Sequence, residues 1–294
     1  MGVGQSVSAA GAGARGLTDF RSENQSRNRL CSLIVLIGVD GHVGHRPAPE
    51  RLHNFLSRAP ARPHSKASHG APGAVELQEV AAGYARSPVF SRLDLSIEPG
   101  EFAYVVGPSG AGKSTLLKLL YGVIRPKAGS VVVDGIPVHR LKKWQTATIR
   151  RRVGCVFQQY ELLPHLTALE NVVLPLQLAH PRIRDPRGYA MDALELVGLK
   201  DKMNERPNHL SGGQQQRVAI ARAVAHQPRV LLADEPTGNV DSEVSAGIMD
   251  LFGQLNELLG STVLMATHDE WVLDKYPARV IRLRTGSLPQ RVAS

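Results

Sequence analysis

Cysteine is scarce in this chain of 294 residues, which has only Cys31 and Cys155. Two cysteines cannot build a disulfide framework, and they suit a reducing compartment. Aromatic residues are also few, with two Trp, six Tyr and six Phe, which argues against a surface that stacks nucleobases. No apolar run reaches the roughly 20 residues a helix needs to cross a bilayer. The apolar block Leu30–Val39 has the length of a signal-peptide core, but a polar lead precedes it and no small-x-small cleavage site follows at Asp40-Gly41-His42. There is no internal repeat. The hydrophobic share of 43% is enough for a sizeable core and excludes wholesale disorder.

The net charge of +9 invites a nucleic-acid reading until it is located. Residues 1–73 hold nine Lys/Arg against four Asp/Glu, a net +5, and five of the eleven histidines. The remaining 221 residues carry 26 basic against 22 acidic side chains, a net +4. The first segment opens on a Gly/Ala/Ser string and closes on a Pro/Ala/Ser/His run, without helical or strand periodicity. It reads as a disordered or non-native extension. No Met lies between Met1 and Met191, so a shorter product would need a non-standard start, for which Val75 is one candidate. The folded part, residues 74–294, has only a mild basic excess, which suits phosphates and an anionic membrane surface; no nucleic-acid partner is expected.

From Val75 onward, β-type runs alternate with helical ones. Val75–Val80, Leu93–Ile97, Phe102–Val106, Val131–Val133 and Arg152–Phe157 read as strands. Ser114–Tyr121, Leu166–Leu178, Tyr189–Val197, Gly213–His226 and Val244–Leu259 read as helices, with Pro175 expected to break the second. Val230–Ala233, Thr262–Ala266 and Arg279–Leu283 suit buried strands. This alternation implies an α/β fold around a parallel sheet.

One loop carries a specific chemistry. Gly107-Pro108-Ser109-Gly110-Ala111-Gly112-Lys113-Ser114 fits G-x-x-x-x-G-K-[ST], follows a predicted strand and opens a helix, with Thr115 next. Glycines let the backbone N–H groups turn inward as an anion nest, and the helix N-terminus adds positive potential. Lys113 suits the β- and γ-phosphates of a nucleoside triphosphate, and the Ser114 hydroxyl suits Mg²⁺. An apolar strand ending in Asp234-Glu235 supplies the complementary acids. Asp234 is the candidate metal partner, and Glu235 the candidate base that polarises a water for attack on the γ-phosphate. Pro236 stops the strand there.

Those two sites are shared by many nucleotide triphosphatases. Leu210-Ser211-Gly212-Gly213-Gln214-Gln215-Gln216-Arg217 narrows the class, because it resembles the signature motif of ABC-type ATPases. The resemblance covers about residues 75–288 and implies a P-loop NTPase fold of ABC type. Such a fold has a RecA-like parallel-sheet core, an antiparallel β subdomain and an α-helical subdomain, here about residues 159–225. It also implies that Ser211, Gly212, Gly213 and Gln214 serve the nucleotide of a second copy, so that a homodimer sandwiches two ATPs. Tyr84 resembles the adenine-stacking aromatic. Gln158, with Gln159 as the alternative, resembles the glutamine that contacts Mg²⁺ and the attacking water. Asp241 resembles the interface-loop aspartate, although Val240 replaces the commoner leucine before it. His268 resembles the switch histidine on the γ-phosphate.

The stretches Gly112–Pro126, Arg150–Gln158, Leu231–Asn239 and Val263–Asp269 are most similar to the cell-division FtsE branch of the family. That branch pairs with a polytopic inner-membrane protein, FtsX, through which septal cell-wall hydrolases are activated. The implied place is the cytoplasmic face of the inner membrane, with a cleft near Tyr160, Leu162 and Leu163 receiving a cytoplasmic helix of the partner. Asp234-Glu235-Pro236-Thr237-Gly238-Asn239 is shared with lipoprotein-release and macrolide-efflux ATPases, which are the alternative. A soluble switch on nucleic acid or ribosomes would resemble double cassettes or carry long inserts, and this chain has neither.

Overall fold

The structure is a computed structural model, and it describes residues 55, 74–84, 87–238, 240–284 and 290–291. All of these belong to one compact unit, residues 44–294. Of the N-terminal extension only Phe55 is among them; its side chain is buried, and its carbonyl accepts a hydrogen bond from Gln227 Nε2 at 2.7 Å. The expectation of disorder for the rest of residues 1–73 lies outside the described residues.

Two sheets form the frame. In the first, β1 (Val75–Tyr84) and β2 (Ser87–Ile97) make an antiparallel hairpin. β4 (Ala128–Val133) flanks β1, and β5 (Ile136–Pro137) and β10 (Gln290–Arg291) close the order β10-β2-β1-β4-β5. The second sheet is parallel throughout. Its strands are β3 (Phe102–Val106), β6 (Val153–Val156), β7 (Val230–Asp234), β8 (Thr262–Ala266) and β9 (Arg279–Arg282), in the order β6-β7-β8-β3-β9.

The parallel strands read as continuous apolar runs because both faces are covered. Successive side chains point to opposite faces, and the burial follows that rule. Ala103, Val105, Val230, Leu232, Leu264 and Ala266 join one core with the antiparallel sheet and α1 (Lys113–Leu120). Tyr104, Val106, Leu231, Ala233, Val263 and Met265 join the other. That second core includes α3 (Ala168–Ala179), α4 (Pro186–Leu196) and α5 (Gly212–Val224), which pack on one another as a helical lobe. The short α2 (Thr146–Arg150) precedes β6, α6 (Ser242–Leu259) lies between β7 and β8, and α7 (Glu270–Lys275) follows β8.

Pro175 does not break α3 as its residue type led us to expect; it lies inside the helix. An internal proline removes one N–H from the helix ladder, but Pro175 is on the exposed side, and Thr167 and Glu170 secure the N-terminus with a reciprocal capping box. The loop before α3 is held by buried Asn171. Its amide donates to the carbonyls of Leu163, Leu166 and Thr167 and accepts from the Leu163 N–H at 2.7 Å.

After α5, His226 lies 6.2 Å from the ring of His180, and its Nε2 has no hydrogen-bond partner. Burial, followed by the neighbouring His180, pushes its pKa down from 6.5 to about 4, against a hydrogen bond with the Val153 backbone. Between those values the unfolded chain binds a proton that the folded chain refuses, so stability falls as pH drops through that window. We expect denaturant titrations to show this acid limb, and His226→Gln to flatten it; an unchanged slope in the variant would contradict the assignment.

Candidate active site

Parallel strands present their C-terminal ends at one edge, and ligands of such sheets bind there. Four strand ends deliver the candidate residues. The phosphate loop follows β3, Gln158 follows β6, Asp234 ends β7 with Glu235 next, and His268 lies just beyond β8. The phosphate loop passes through left-handed backbone at Gly110 (φ 80°) and Gly112 (φ 99°). A Cβ on Gly112 would stand 2.4 Å from Val89 Cγ1 and 2.7 Å from the Phe90 ring, so the antiparallel sheet closes over the loop. No side chain caps α1 at Gly112, which leaves its first-turn N–H groups as donors suited to an anion.

Lys113 is buried, and its ammonium donates to the Gly107 carbonyl at 2.9 Å. The same Nζ lies 4.0 Å from Glu235 Oε1. Glu235 Oε2 accepts from Gln158 Nε2 at 3.1 Å, and Glu235 Oε1 lies 2.9 Å from His268 Nδ1. Three of the sequence-nominated groups, Lys113, Gln158 and His268, thus converge on the fourth. The Glu235 carboxylate is largely enclosed, at 16% side-chain exposure, whereas His268 is 66% exposed and free to meet a ligand. A cavity of about 470 Å³ borders Glu235, Thr237, Thr267 and His268.

Asp234 has a different neighbour. Burial raises its pKa, the Ser114 hydroxyl hydrogen-bonded to it lowers it, and the Glu235 charge raises it again. A desolvated carboxylate paired with a hydroxyl beside the phosphate loop is a donor set that fits Mg²⁺, a hard cation that prefers oxygen ligands.

The remaining nominated residues lie at the ends of other elements, and Val240 and Ser242, on either side of Asp241, line the same cavity as Glu235 and His268. Ser211 caps α5: its Oγ accepts from the Gln214 N–H at 3.3 Å, and the Ser211 N–H donates to Gln214 Oε1 at 3.0 Å. Gly213 is tight against α6, where a Cβ would lie 2.7 Å from Val244 Cγ1. Asp241 caps α6, accepting from the Val244 N–H at 2.9 Å. Tyr84 is half exposed at the end of β1. Of the anticipated docking patch, Tyr160 and Leu162 pack on the helical-lobe core, and Leu163 is 38% exposed.

A groove of about 420 Å³ between α2 and the helical lobe escaped sequence reasoning. It is lined by Trp144, Arg150, Phe157, Glu161, Leu178 and Arg222, among others. Trp144 is 75% exposed and Leu178 69%, an unusual display for large apolar side chains. Local pattern carried little warning, since Trp144 sits in a short 3₁₀ turn rather than in a periodic element.

A carboxylate that burial keeps partly uncompensated should cost stability while serving the site. We expect Asp234→Asn to raise the melting temperature of the ligand-free chain at neutral pH and to weaken Mg²⁺-dependent nucleotide binding. The gain should shrink as pH falls through the carboxyl range, because protonation relieves the same penalty in the parent. A lower melting temperature at neutral pH would refute this.

The ABC transporter family profile matches residues 90–238. The chain is 44% identical over 213 residues to the cell division ATP-binding protein FtsE of Streptococcus pneumoniae serotype 2, covering 72% of this chain and 92% of that protein. It is also 44% identical to FtsE of Haemophilus influenzae, covering 73% of this chain and 99% of that one. Among solved structures, the dimeric post-hydrolysis state of the ATP-binding cassette MJ0796 bound to ADP and Pi aligns at a TM-score of 0.67 and 40% identity, over 74% of this chain and 97% of that one. With the strand-edge cluster and the family match in agreement, the chain belongs to the ABC transporter family as an ATP-hydrolysing cassette.

Proposed function

We propose that this cassette works as an FtsE-like homodimer, converting ATP hydrolysis into movement of a polytopic inner-membrane partner of the FtsX type during cell division. The observation that carries the reading is the single set of half-sites. The chain has one phosphate loop with its acids and one signature helix, and two chains set head to tail would complete two ATP sites. The relatedness to FtsE proteins and the dimeric state of the MJ0796 cassette support it.

In that dimer Lys113 and the loop N–H groups would bind the β- and γ-phosphates, and the adenine would stack on Tyr84. Ser211, Gly212, Gly213 and Gln214, with Asp241 at the interface, would close on the nucleotide of the facing subunit. Mg²⁺ would be held by Ser114, Gln158 and Asp234, and when bound it would supply neutralisation of phosphate charge. Glu235 would take the proton of the attacking water, with Gln158 and His268 holding its carboxylate in place. Among the described residues no helix is long and apolar enough to cross a membrane. The groove beside Trp144 and Leu178 is the place for an amphipathic cytoplasmic helix, which would lay its apolar face there. Septal cell-wall hydrolases would be activated through that partner.

Removing a general base costs about 10²–10⁴-fold in rate. We therefore expect Glu235→Gln to lower ATP turnover by that order while the dimer accumulates in ATP, as seen by size-exclusion chromatography; near-normal turnover would disqualify Glu235 as the base. For the partner, co-expression with an FtsX-type protein should yield a detergent-stable complex that Trp144→Asp disrupts without altering basal hydrolysis. A complex indifferent to Trp144→Asp would move the contact elsewhere.

A further inference from the structure

Arg222 has no place in the mechanism above, yet its contacts lead to it. It stands alone as a charge in the apolar stretch Ile220-Ala221-Arg222-Ala223-Val224 of α5, half-buried beside Tyr121, Cys155 and Glu161. One guanidinium nitrogen donates to the Glu161 carbonyl at 2.6 Å, and the other donates to the Tyr160 carbonyl at 2.6 Å. Both of those residues are in left-handed backbone, at φ 58° for Tyr160 and 48° for Glu161. Non-glycine residues hold that conformation only where their surroundings impose it.

The turn they form is continuous with Gln158. The Tyr160 N–H donates to the Phe157 carbonyl at 3.1 Å and closes a tight turn around Gln158 and Gln159. Gln158 then reaches Glu235. At the other end of the segment, Asn171 of α3 holds both backbone groups of Leu163. The path from the sheet edge to the helical lobe is thus fastened to that lobe by two side chains, and Arg222 is the one next to the reacting end.

We propose that Arg222 is a positioning residue for ATP hydrolysis, a clamp whose two parallel N–H donors fix the Tyr160–Glu161 turn and so set Gln158 against Glu235. The planar fork of arginine can serve two successive carbonyls at once, which the single ammonium of lysine does not reproduce. The clamp also ties Gln158 to the helix that carries Ser211–Gln214 at its N-terminus, and Arg222 and Glu161 both line the groove beside Trp144. Displacement of α5, or an occupant in that groove, therefore acts on Gln158 through these two hydrogen bonds. The proposal rests on the assignment of Gln158 to the hydrolytic site.

The test uses the full-length chain with ATP and Mg²⁺. Arg222→Lys keeps the charge and the buried aliphatic stem, so it should fold with a melting temperature close to that of the parent. Misplacement of a positioned group lowers turnover, and we expect kcat to fall by about tenfold with KM for ATP within about twofold of the parent. In the nucleotide-free protein, backbone amides of residues 160–163 should exchange with deuterium faster than in the parent, a change that does not depend on hydrolysis. Parental kcat in Arg222→Lys overturns the proposal, as does a loss of kcat/KM carried wholly by KM. Gln158→Ala separates the two assumptions. If that variant hydrolyses ATP normally, the assignment of Gln158 fails and the clamp fails with it; if it is impaired while Arg222→Lys is not, the clamp alone fails.

Discussion

The Glu235 carboxylate is held in one place at the edge of the parallel sheet, and the level ending of the strands makes this possible. Val156 pairs with Ala233, Asp234 with Ala266, and Ala266 with Val105, so β6, β7, β8 and β3 finish together. Only then can an amide from beyond β6, an imidazole from beyond β8 and an ammonium from the loop after β3 reach the same two oxygens. A slip of one residue in any strand would turn its side chains to the opposite face. The register is guarded by the cores above and below, since each of these strands contributes apolar side chains to both.

The same sheet separates two tasks. The core that includes the antiparallel sheet presses Val89 and Phe90 onto Gly112 and gives the phosphate loop a rigid backing. The other core carries the helical lobe, whose α5 begins at the signature residues and abuts α6 through Gly213 and Val244. The helical lobe packs on one face of the parallel sheet and the antiparallel sheet on the other, so the two tasks rest on opposite faces of one frame. The segment from Gln158 to Thr167 crosses from the sheet edge to the helical lobe, and its fastening by Asn171 and Arg222 makes it a link rather than a slack loop.

Much of this was legible from residue types. The phosphate loop announces itself because its backbone must turn through left-handed angles and admit no Cβ at Gly112, so glycine is the only economical choice there. Strand positions were readable because the two faces are both buried, which leaves unbroken runs such as Val230-Leu231-Leu232-Ala233. The mutual placement of Gln158, Glu235 and His268 was not readable from spacing; family resemblance nominated them and tertiary structure brings them together. Pro175 misled because composition weighs a proline the same on an exposed helix face as in a core. Trp144 and Leu178 went unnoticed because the wall they share joins a 3₁₀ turn to a distant helix. Tyr160 and Glu161 carry no glycine to mark their left-handed turn.

Those two residues belong to a wider pattern. Among the described residues, the left-handed non-glycine positions are Glu79, Asp134, Tyr160, Glu161, Gln227 and Glu235. Each is gripped by a polar partner: Glu79 by Arg92, Asp134 by Arg152 and Arg229, the Tyr160 and Glu161 carbonyls by Arg222, Gln227 by the Phe55 carbonyl, and Glu235 by Gln158 and His268. Such backbone costs on the order of 1–3 kcal/mol per residue, comparable with what a hydrogen bond to a charged group returns. Glu79 meets Arg92 at the exposed surface, and the largely buried Asp134 carboxylate is held by two arginines. At Glu235 the partners are the groups that a γ-phosphate would compete for, and at Tyr160–Glu161 the partner sits in a wall of the groove. Under the proposed function, the contacts that balance the strain at Glu235 and at Tyr160–Glu161 are ones that a nucleotide or a groove occupant would compete for. A conformation held that narrowly can be redirected by a change of one or two hydrogen bonds, which is the scale of change that the binding and loss of a phosphate provides.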